Sequence, residues 1–283
     1  MKTTTLNKIR TVGTAGLIAM TLMSAGCKIR EDQGTEYTKK TFDTAESFDS
    51  LNIKEIEGDV RFGLSSDKET HITYYDCKYY DHNVEVSNNE LKYTANQKKD
   101  VANFLGRLID FTTKDIETEI LLPENEFKKL DLSVTTGDVT LDNNFTFDEG
   151  NIELTTGNLD CDATFNNSLV IDCVTGNINV DSNKSTELEN IRIKTVTGSI
   201  NVNGFNSKKI KLDATTGSIK FSELTADKID IDVTTGKING KITDEYDIDA
   251  SCTAGSCKTD STANADRTIH AECVSGSITI QAD

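Results

Sequence analysis

The sequence is poor in several residue types on which enzymes and membrane proteins depend. It has no tryptophan, one proline and three histidines among 283 residues. It contains no nucleophile-elbow, zinc-protease or phosphate-loop motif. A polysaccharide-cleaving β-structure would need acids grouped in a groove, and no group stands out from the acidic background. We therefore expect no enzyme activity, no cofactor and no metal.

Charge is also unbalanced. There are 47 acidic and 30 basic residues, which gives a net charge of −17. This charge argues against binding to nucleic acid and to anionic lipid. It is compatible with a cationic peptide as a partner, or simply with solubility.

The first 26 residues predict an export signal. Three basic residues in the first ten precede a mildly apolar run over 12–25, which is too short for the ~20 residues of a membrane-spanning helix. The segment Met23-Ser24-Ala25-Gly26-Cys27 resembles a bacterial lipobox, with Ser24 where leucine is usual. The resemblance implies acylation of Cys27, which suffices for stable anchoring. The alternative is an ordinary signal peptide with an incidental cysteine.

The remaining chain divides into three predicted parts. Residues 27–47 are polar, without apolar periodicity, and predict a flexible tether. Residues 48–125 alternate polar and apolar in short runs and predict an N-terminal β-rich part, with a turn at Asn88-Asn89. The apolar stretch 104–109 interrupts this pattern as either a short helix or a loop.

From residue 126 to residue 283, a Thr-Gly unit recurs about every 20 residues, as in Val134–Val139 and Ala214–Ile219. Such a period is typical of a solenoid. The repeats are marked by eight glycines: Gly137, Gly157, Gly176, Gly198, Gly217, Gly236, Gly255 and Gly276. Each glycine predicts a corner that needs positive φ or close backbone approach. We expect the threonines before them to form a hydroxyl ladder.

Apolar and polar positions alternate on both sides of each glycine, which places the apolar side chains on one face of a strand. One short unit cannot bury that face alone, whereas stacked units share one interior. We predict an all-β fold, a right-handed parallel β-solenoid of about eight rungs after a smaller β-rich region. The alternative is an antiparallel sandwich.

Five cysteines fall in the predicted inward positions: Cys161, Cys173, Cys252, Cys257 and Cys273. A buried thiol there acts as a small apolar filler, and this is our expectation. Cys252 and Cys273 occupy the same position on neighbouring repeats, so a disulfide between them is the alternative.

Two groups of polar residues raise the question of a binding site. His71, Asp76, Cys77, Asp81 and His82 lie within twelve residues, but their spacing matches no standard metal site. The tyrosines around them make this region the best candidate for an aromatic binding face. The tyrosines are Tyr74, Tyr75, Tyr79 and Tyr80.

A second group is a set of outward acids, Asp172, Asp213 and Asp232, which recur at one repeat position. Lys194 interrupts this set. The interruption favours a solvated face over a calcium site.

The Thr-Thr-Gly-Asp-Val and Val-Thr-Gly-Ser-Ile repeats resemble those of an adhesin-like bacterial domain of unknown function. Lia-type envelope-stress surface proteins carry such a domain. The resemblance covers roughly residues 48–283, including Glu57–Phe62 and Leu121-Leu122-Pro123. It implies a β-solenoid at the cell envelope with a role in adhesion or stress sensing, and it supplies no catalytic residues.

We therefore predict an exported, lipid-anchored cell-surface module that binds or senses. The candidate partners are an envelope protein, a glycan or a cationic peptide. The alternatives are a purely structural envelope spacer and a carbohydrate-active enzyme on a β-helix. Because the last rung would end at Ile280 with little to cover it, weak self-association through this rung is also expected.

Overall fold

The structure is a computed structural model that describes residues 37–98, 116–182 and 186–282. Every regular element in these ranges is a β-strand, and no helix there could cross a membrane. The predicted signal peptide, Cys27 and the 104–109 segment lie outside the described residues.

Seven strands precede the repeats. They are β1 (Tyr37–Thr44), β2 (Ser50–Glu57), β3 (Asp59–Leu64), β4 (Thr70–Cys77), β5 (Tyr80–Ser87), β6 (Glu90–Gln97) and β7 (Glu117–Leu122). Asn88 and Asn89 have φ of 53° and 63° and form the turn between β5 and β6. The turn predicted at these residues is confirmed.

Each repeat forms a long arm before its glycine and a short arm after it. The first five repeats are β8 (Glu126–Thr136) with β9 (Val139–Leu141), β10 (Thr146–Thr156) with β11 (Leu159–Cys161), β12 (Thr164–Thr175) with β13 (Ile178–Asp181), β14 (Glu187–Thr197) with β15 (Ile200–Asn203), and β16 (Asn206–Thr216) with β17 (Ile219–Ser222). In the last three repeats both arms belong to one strand: β18 (Thr225–Ile242), β19 (Asp247–Thr259) and β20 (Thr268–Ala282).

Equivalent residues of successive rungs lie in parallel register and form columns. Ile152 of β10, for example, pairs with Leu132 of β8 and with Ile171 of β12. All three side chains are buried in the shared interior. The predicted all-β solenoid is confirmed, and the antiparallel sandwich is wrong because the repeat ladders run parallel.

The stack begins before residue 126. β2 and β3 turn at Gly58, which has a φ of 131°, and they pair in parallel with β8 and β9. On their other side, β6 and β7 form a further rung against β2 and β3. The two arms of that rung are not continuous in sequence, since β6 ends at Gln97 and β7 begins at Glu117. Just before β7, the carbonyl oxygen of Ile116 accepts a hydrogen bond from the Asp59 amide at 2.8 Å.

At the other end, the rungs do not follow the order of the sequence. β20 pairs with β18 on one side and with β19 on the other, so the eighth repeat lies inside the seventh. The expectation of an uncovered rung ending at Ile280 is wrong, because Ile280 is fully buried. β19 is the outermost rung, and its inward positions carry the small residues Ala250 and Cys252. Its partner β20 carries the equally small Ala271 and Cys273 at these positions, but places Ile278 and Ile280 opposite Cys257 and Thr259.

A column of phenylalanine rings in the interior was not predicted from the sequence. Phe48, Phe127, Phe147 and Phe165 stack on successive rungs with ring centroids 5.7–5.9 Å apart. Gly150 makes room for this column, because a Cβ at that position would collide with the Phe165 ring.

The N-terminal end is closed by antiparallel pairing: β1 lies on β4, β4 lies on β7, and β5 lies on β6. We call the seven strands before the repeats, β1 to β7, the cap. The predicted tether 27–47 is therefore wrong over residues 37–44, which form β1. This strand showed no apolar periodicity because most of its side chains are exposed.

Candidate binding surface

The eight repeat glycines have φ between 143° and 153°. A Cβ at Gly198 would collide with the carbonyl oxygen of Gly176 on the neighbouring rung, and the other seven meet an equivalent oxygen. A side chain is therefore excluded both by backbone conformation and by the close approach of the next rung.

The residues that follow Gly58 and the first five repeat glycines form a hydrogen-bonded ladder along the corner. The Asp59 carboxylate accepts from the Asp138 amide at 2.7 Å, and the Asp138 carboxylate accepts from the Asn158 amide at 2.7 Å. The ladder continues through Asn158, Asn177, Ser199 and Ser218. The threonines before the glycines lie in register. The side-chain ladder of the corner thus runs through a different residue from the one that the sequence suggested.

The short arms β9, β11, β13, β15 and β17 present a second polar surface, which we call the short face. The Asn201 amide donates to the Asn179 side-chain oxygen at 2.7 Å, and Ser222 donates to the Asn203 side-chain oxygen at 2.8 Å. These rows border an open groove of about 300 Å³. The groove is lined by Asp160, Asn179, Asp181, Asn201, Val202, Asn203, Lys220 and Ser222.

The short face is negative at the end nearer the cap. Burial raises the pKa of Asp162, and the neighbouring Asp160, Asp181 and Asp142 raise this pKa further. Lys220 supplies a positive charge at the opposite side of the groove. In the described part of the chain, no three His, Cys, Asp or Glu side chains are grouped to hold a metal ion.

On the long arms, the acids noted in the sequence form ion pairs with basic neighbours. Asp172 lies 3.0 Å from Arg192, while Asp213 and Asp232 each lie 3.1 Å from Lys211. These contacts describe a solvated face with ion pairs between rungs.

The histidines of the cap belong to two separate sites. His71 lies 2.7 Å from Asp43 and 3.0 Å from Asp67. His82 lies 2.9 Å from Asp76 and 3.5 Å from Glu55, with 4% of its side chain exposed. The two histidines of the sequence cluster therefore do not share a site, because each contacts its own pair of acids.

Sequence reasoning missed Glu55, which is buried at the centre of the cap. Tyr93 donates to its carboxylate at 2.6 Å and Thr118 donates at 3.0 Å. The signal was available, because Glu55 occupies the column in which other rungs place residues such as Val134 and Leu154. An isolated acid in an apolar column predicts a buried polar network.

The pKa values in this network shift in opposite directions. Burial raises the pKa of Glu55, but hydrogen bonds from His82 and Tyr93 outweigh this effect, so the pKa lies below its ordinary value. Burial lowers the pKa of His82, but its bonds to Glu55 and Asp76 leave the pKa raised. The network thus favours a charged pair.

Of the tyrosines named in the sequence analysis, Tyr74 contacts this network. The Tyr74 ring packs edge-on against His82, with centroids 5.2 Å apart, and the buried Tyr93 ring stacks on His82 with centroids 5.3 Å apart. Tyr80 is buried as well. We therefore place the candidate binding surface on the short face.

The cysteines follow the sequence prediction only in part. Cys77, Cys161, Cys173 and Cys273 are free and buried. Cys252 is bonded to Cys257, so the expectation of buried thiols at these two positions, and the alternative bond to Cys273, are both wrong. In the outermost rung the two inward positions flank Gly255, and their sulfur atoms meet across the corner.

The fold defines a class of stacked β-rung proteins with a glycine at each corner. Residues 48–282 match the family model Toastrack DUF4097, and the chain belongs to this family. The adhesin-like domain that the repeats resembled is thereby confirmed. No curated protein matches the sequence.

Several solved structures are similar in fold. A candidate adhesin from Bacteroides fragilis NCTC 9343 has 17% identity and a TM-score of 0.49, covering 87% of this chain and 97% of that one. A candidate adhesin from Parabacteroides merdae ATCC 43184 has 12% identity and a TM-score of 0.49, covering 88% and 96%. A candidate lipid-binding protein from Parabacteroides distasonis ATCC 8503 has 14% identity and a TM-score of 0.45, covering 87% and 96%.

Proposed function

We propose that this chain is an exported, lipid-anchored and non-enzymatic binding protein of the cell envelope, whose short face contacts a glycan. The observation that carries the proposal is the groove of about 300 Å³, bordered by side-chain amides and carboxylates in register on successive rungs. A volume near 300 Å³ is at the lower limit of small-molecule sites, and an open groove suits a ligand that extends beyond it.

The chemistry of the groove favours a ligand rich in hydroxyl groups. Asparagine side chains both donate and accept hydrogen bonds, and carboxylates accept them. The rows need little reorganisation on binding, because Asn179 and Asn201 are already aligned by a hydrogen bond of 2.7 Å. The acids on this face disfavour an anionic polysaccharide.

The test is the binding of the mature chain to neutral polysaccharide from the cell envelope, measured by co-sedimentation and calorimetry. We expect Asn201→Leu to weaken binding at least tenfold, because it removes an exposed amide from the groove. Asn190→Leu is the matched control, since Asn190 is also exposed and lies on the other arm of the same rung. Equal affinity in the two variants would contradict the assigned surface. Failure of the wild-type chain to bind any neutral fraction would favour the structural spacer.

The proposed anchor is tested separately. Tyr37 begins β1 ten residues after Cys27. We expect Cys27→Ser to abolish incorporation of labelled fatty acid and to release the protein from the membrane fraction. Ser24→Leu, which introduces the usual lipobox residue, should retain both properties. Membrane retention of Cys27→Ser would contradict the anchor.

A further inference from the structure

The disulfide lies at the outer end of the stack because of the reversed rung order. β19 pairs with β20 through one edge only, and the described residues place no rung beyond it. After β19 the chain crosses the start of this rung, where Ser261 bonds to the Ile248 amide at 2.8 Å and Thr262 bonds to Tyr246 at 2.8 Å. The corner at Gly255 is left uncovered.

The two bonded sulfurs differ in accessibility. Cys252 packs against the edge of the core, whereas Cys257 and its neighbours Ser256 and Lys258 are exposed. Thiol–disulfide exchange proceeds by attack of a thiolate on one sulfur, and access decides which sulfur is attacked. Attack from solvent is therefore directed to Cys257.

A third cysteine lies one rung further in but is poorly placed to react. Cys273 pairs in register with Cys252, and its Sγ lies 3.6 Å from the Gly236 carbonyl oxygen on the inner side. Burial raises the pKa of the Cys273 thiol, so it remains protonated at neutral pH and is a weak nucleophile. The thiolate that attacks the disulfide is therefore expected to come from another molecule.

We propose that the Cys252–Cys257 disulfide is an exchange site for small-molecule thiols at the outer end of the stack. The external thiolate attacks Sγ of Cys257 and forms a mixed disulfide there. The bond between Cys252 and Cys257 breaks, and Cys252 leaves as a thiolate that takes a proton from solvent. The external sulfur is oxidised and Cys252 is reduced, so no other oxidant or reductant is needed.

The experiment exposes the mature chain to a limiting amount of reduced glutathione without oxygen. The reaction is stopped with acid, free thiols are alkylated, and the products are mapped by mass spectrometry. We expect glutathione on Cys257 and alkylation of Cys252, at a rate no more than tenfold below that of a peptide spanning residues 247–267 with the same disulfide. Cys257→Ser should lose all glutathione incorporation. Cys273→Ala is the matched control and should retain the wild-type rate.

Three results would overturn the proposal. A native rate more than tenfold below that of the peptide would show that the disulfide only braces the corner. Glutathione on Cys252 would place the attack on the wrong sulfur. Loss of exchange in Cys273→Ala, with an unchanged circular dichroism spectrum, would make Cys273 a participant.

Discussion

The cap and the stacked repeats bury their strands by different chemistry, and one column shows the contrast directly. At the third position before the glycine, the repeats place Val134, Leu154 and Val233 in the interior, while β2 places the buried carboxylate of Glu55. The repeats are stabilised by the same apolar contact made many times. The cap depends on one polar network made once.

Because of this difference, we expect the stack to tolerate substitutions of buried residues better than the cap does. In the stack, an apolar side chain can be exchanged for another of similar size, since most of its neighbours in the column are also apolar. In the cap, Glu55 receives bonds from Tyr93, Thr118 and His82, and each loss leaves a buried polar group unsatisfied. The corner glycines are the exception in the stack, because no other residue fits them.

The largest effect is expected from Gly198→Ala in the middle of the stack. Its φ of 143° and the neighbouring Gly176 carbonyl oxygen both oppose a methyl group. We expect a loss of about 3 kcal/mol in the free energy of unfolding, measured by urea denaturation. Thr197→Ala is the matched control and should cost far less, since Thr197 is exposed. Equal losses in the two variants would contradict the assigned corner.

A smaller effect is expected from Tyr93→Phe in the cap. The variant keeps the ring stacked on His82 but removes the hydroxyl that bonds to Glu55. We expect a loss of about 1–3 kcal/mol, measured by thermal and urea unfolding. Tyr74→Phe is the control, since its ring contacts His82 but it lies outside the hydrogen bonds to Glu55. If Tyr74→Phe is the more damaging variant, ring packing rather than the network stabilises the cap.

The smallest expected effect is the pH dependence of the cap. The pKa of Glu55 is lowered, so its contribution to stability is present above its ordinary value of 4.5 and is lost as pH falls through the folded value. The pKa of His82 is raised, so its contribution is present below 6.5 and is lost as pH rises through the folded value. The cap should be most stable between pH 4.5 and 6.5.

Hydrogen exchange of the Ile56 and Glu57 amides measures this dependence, because both donate to Glu55. Protection should fall above pH 6.5 once intrinsic exchange is corrected for. His82→Gln should remove that fall, whereas His270→Gln should preserve it, since His270 lies on the exposed surface of β20. A fall that persists in His82→Gln would assign the pH dependence to another group.

Prediction from sequence succeeded for the part of the chain in which the same pattern of apolar and polar residues recurs. The columns that contain Leu132, Ile152 and Ile171 were read from alternation and period, and the structure places them in one interior. Glu55 could have been noted as an acid in an apolar column, but its partners Tyr93 and Thr118, which lie 38 and 63 residues away, could not. No periodicity connects such positions. The groove was also missed. The period does place Asn201 and Lys220 in one column, but a concave surface between rungs is not visible in the sequence.

The sequence by itself determined the repeating unit, the corner glycines and the shared aliphatic interior, because alternation and a constant period allow parallel stacking. Only the tertiary structure decided that β20 lies inside β19, that Cys252 bonds to Cys257, and that residues 37–44 form a strand of the cap. Those outcomes depend on which edge of the stack is left to pair. The choice of edge depends on how the whole chain packs, so it cannot be read from the local sequence pattern.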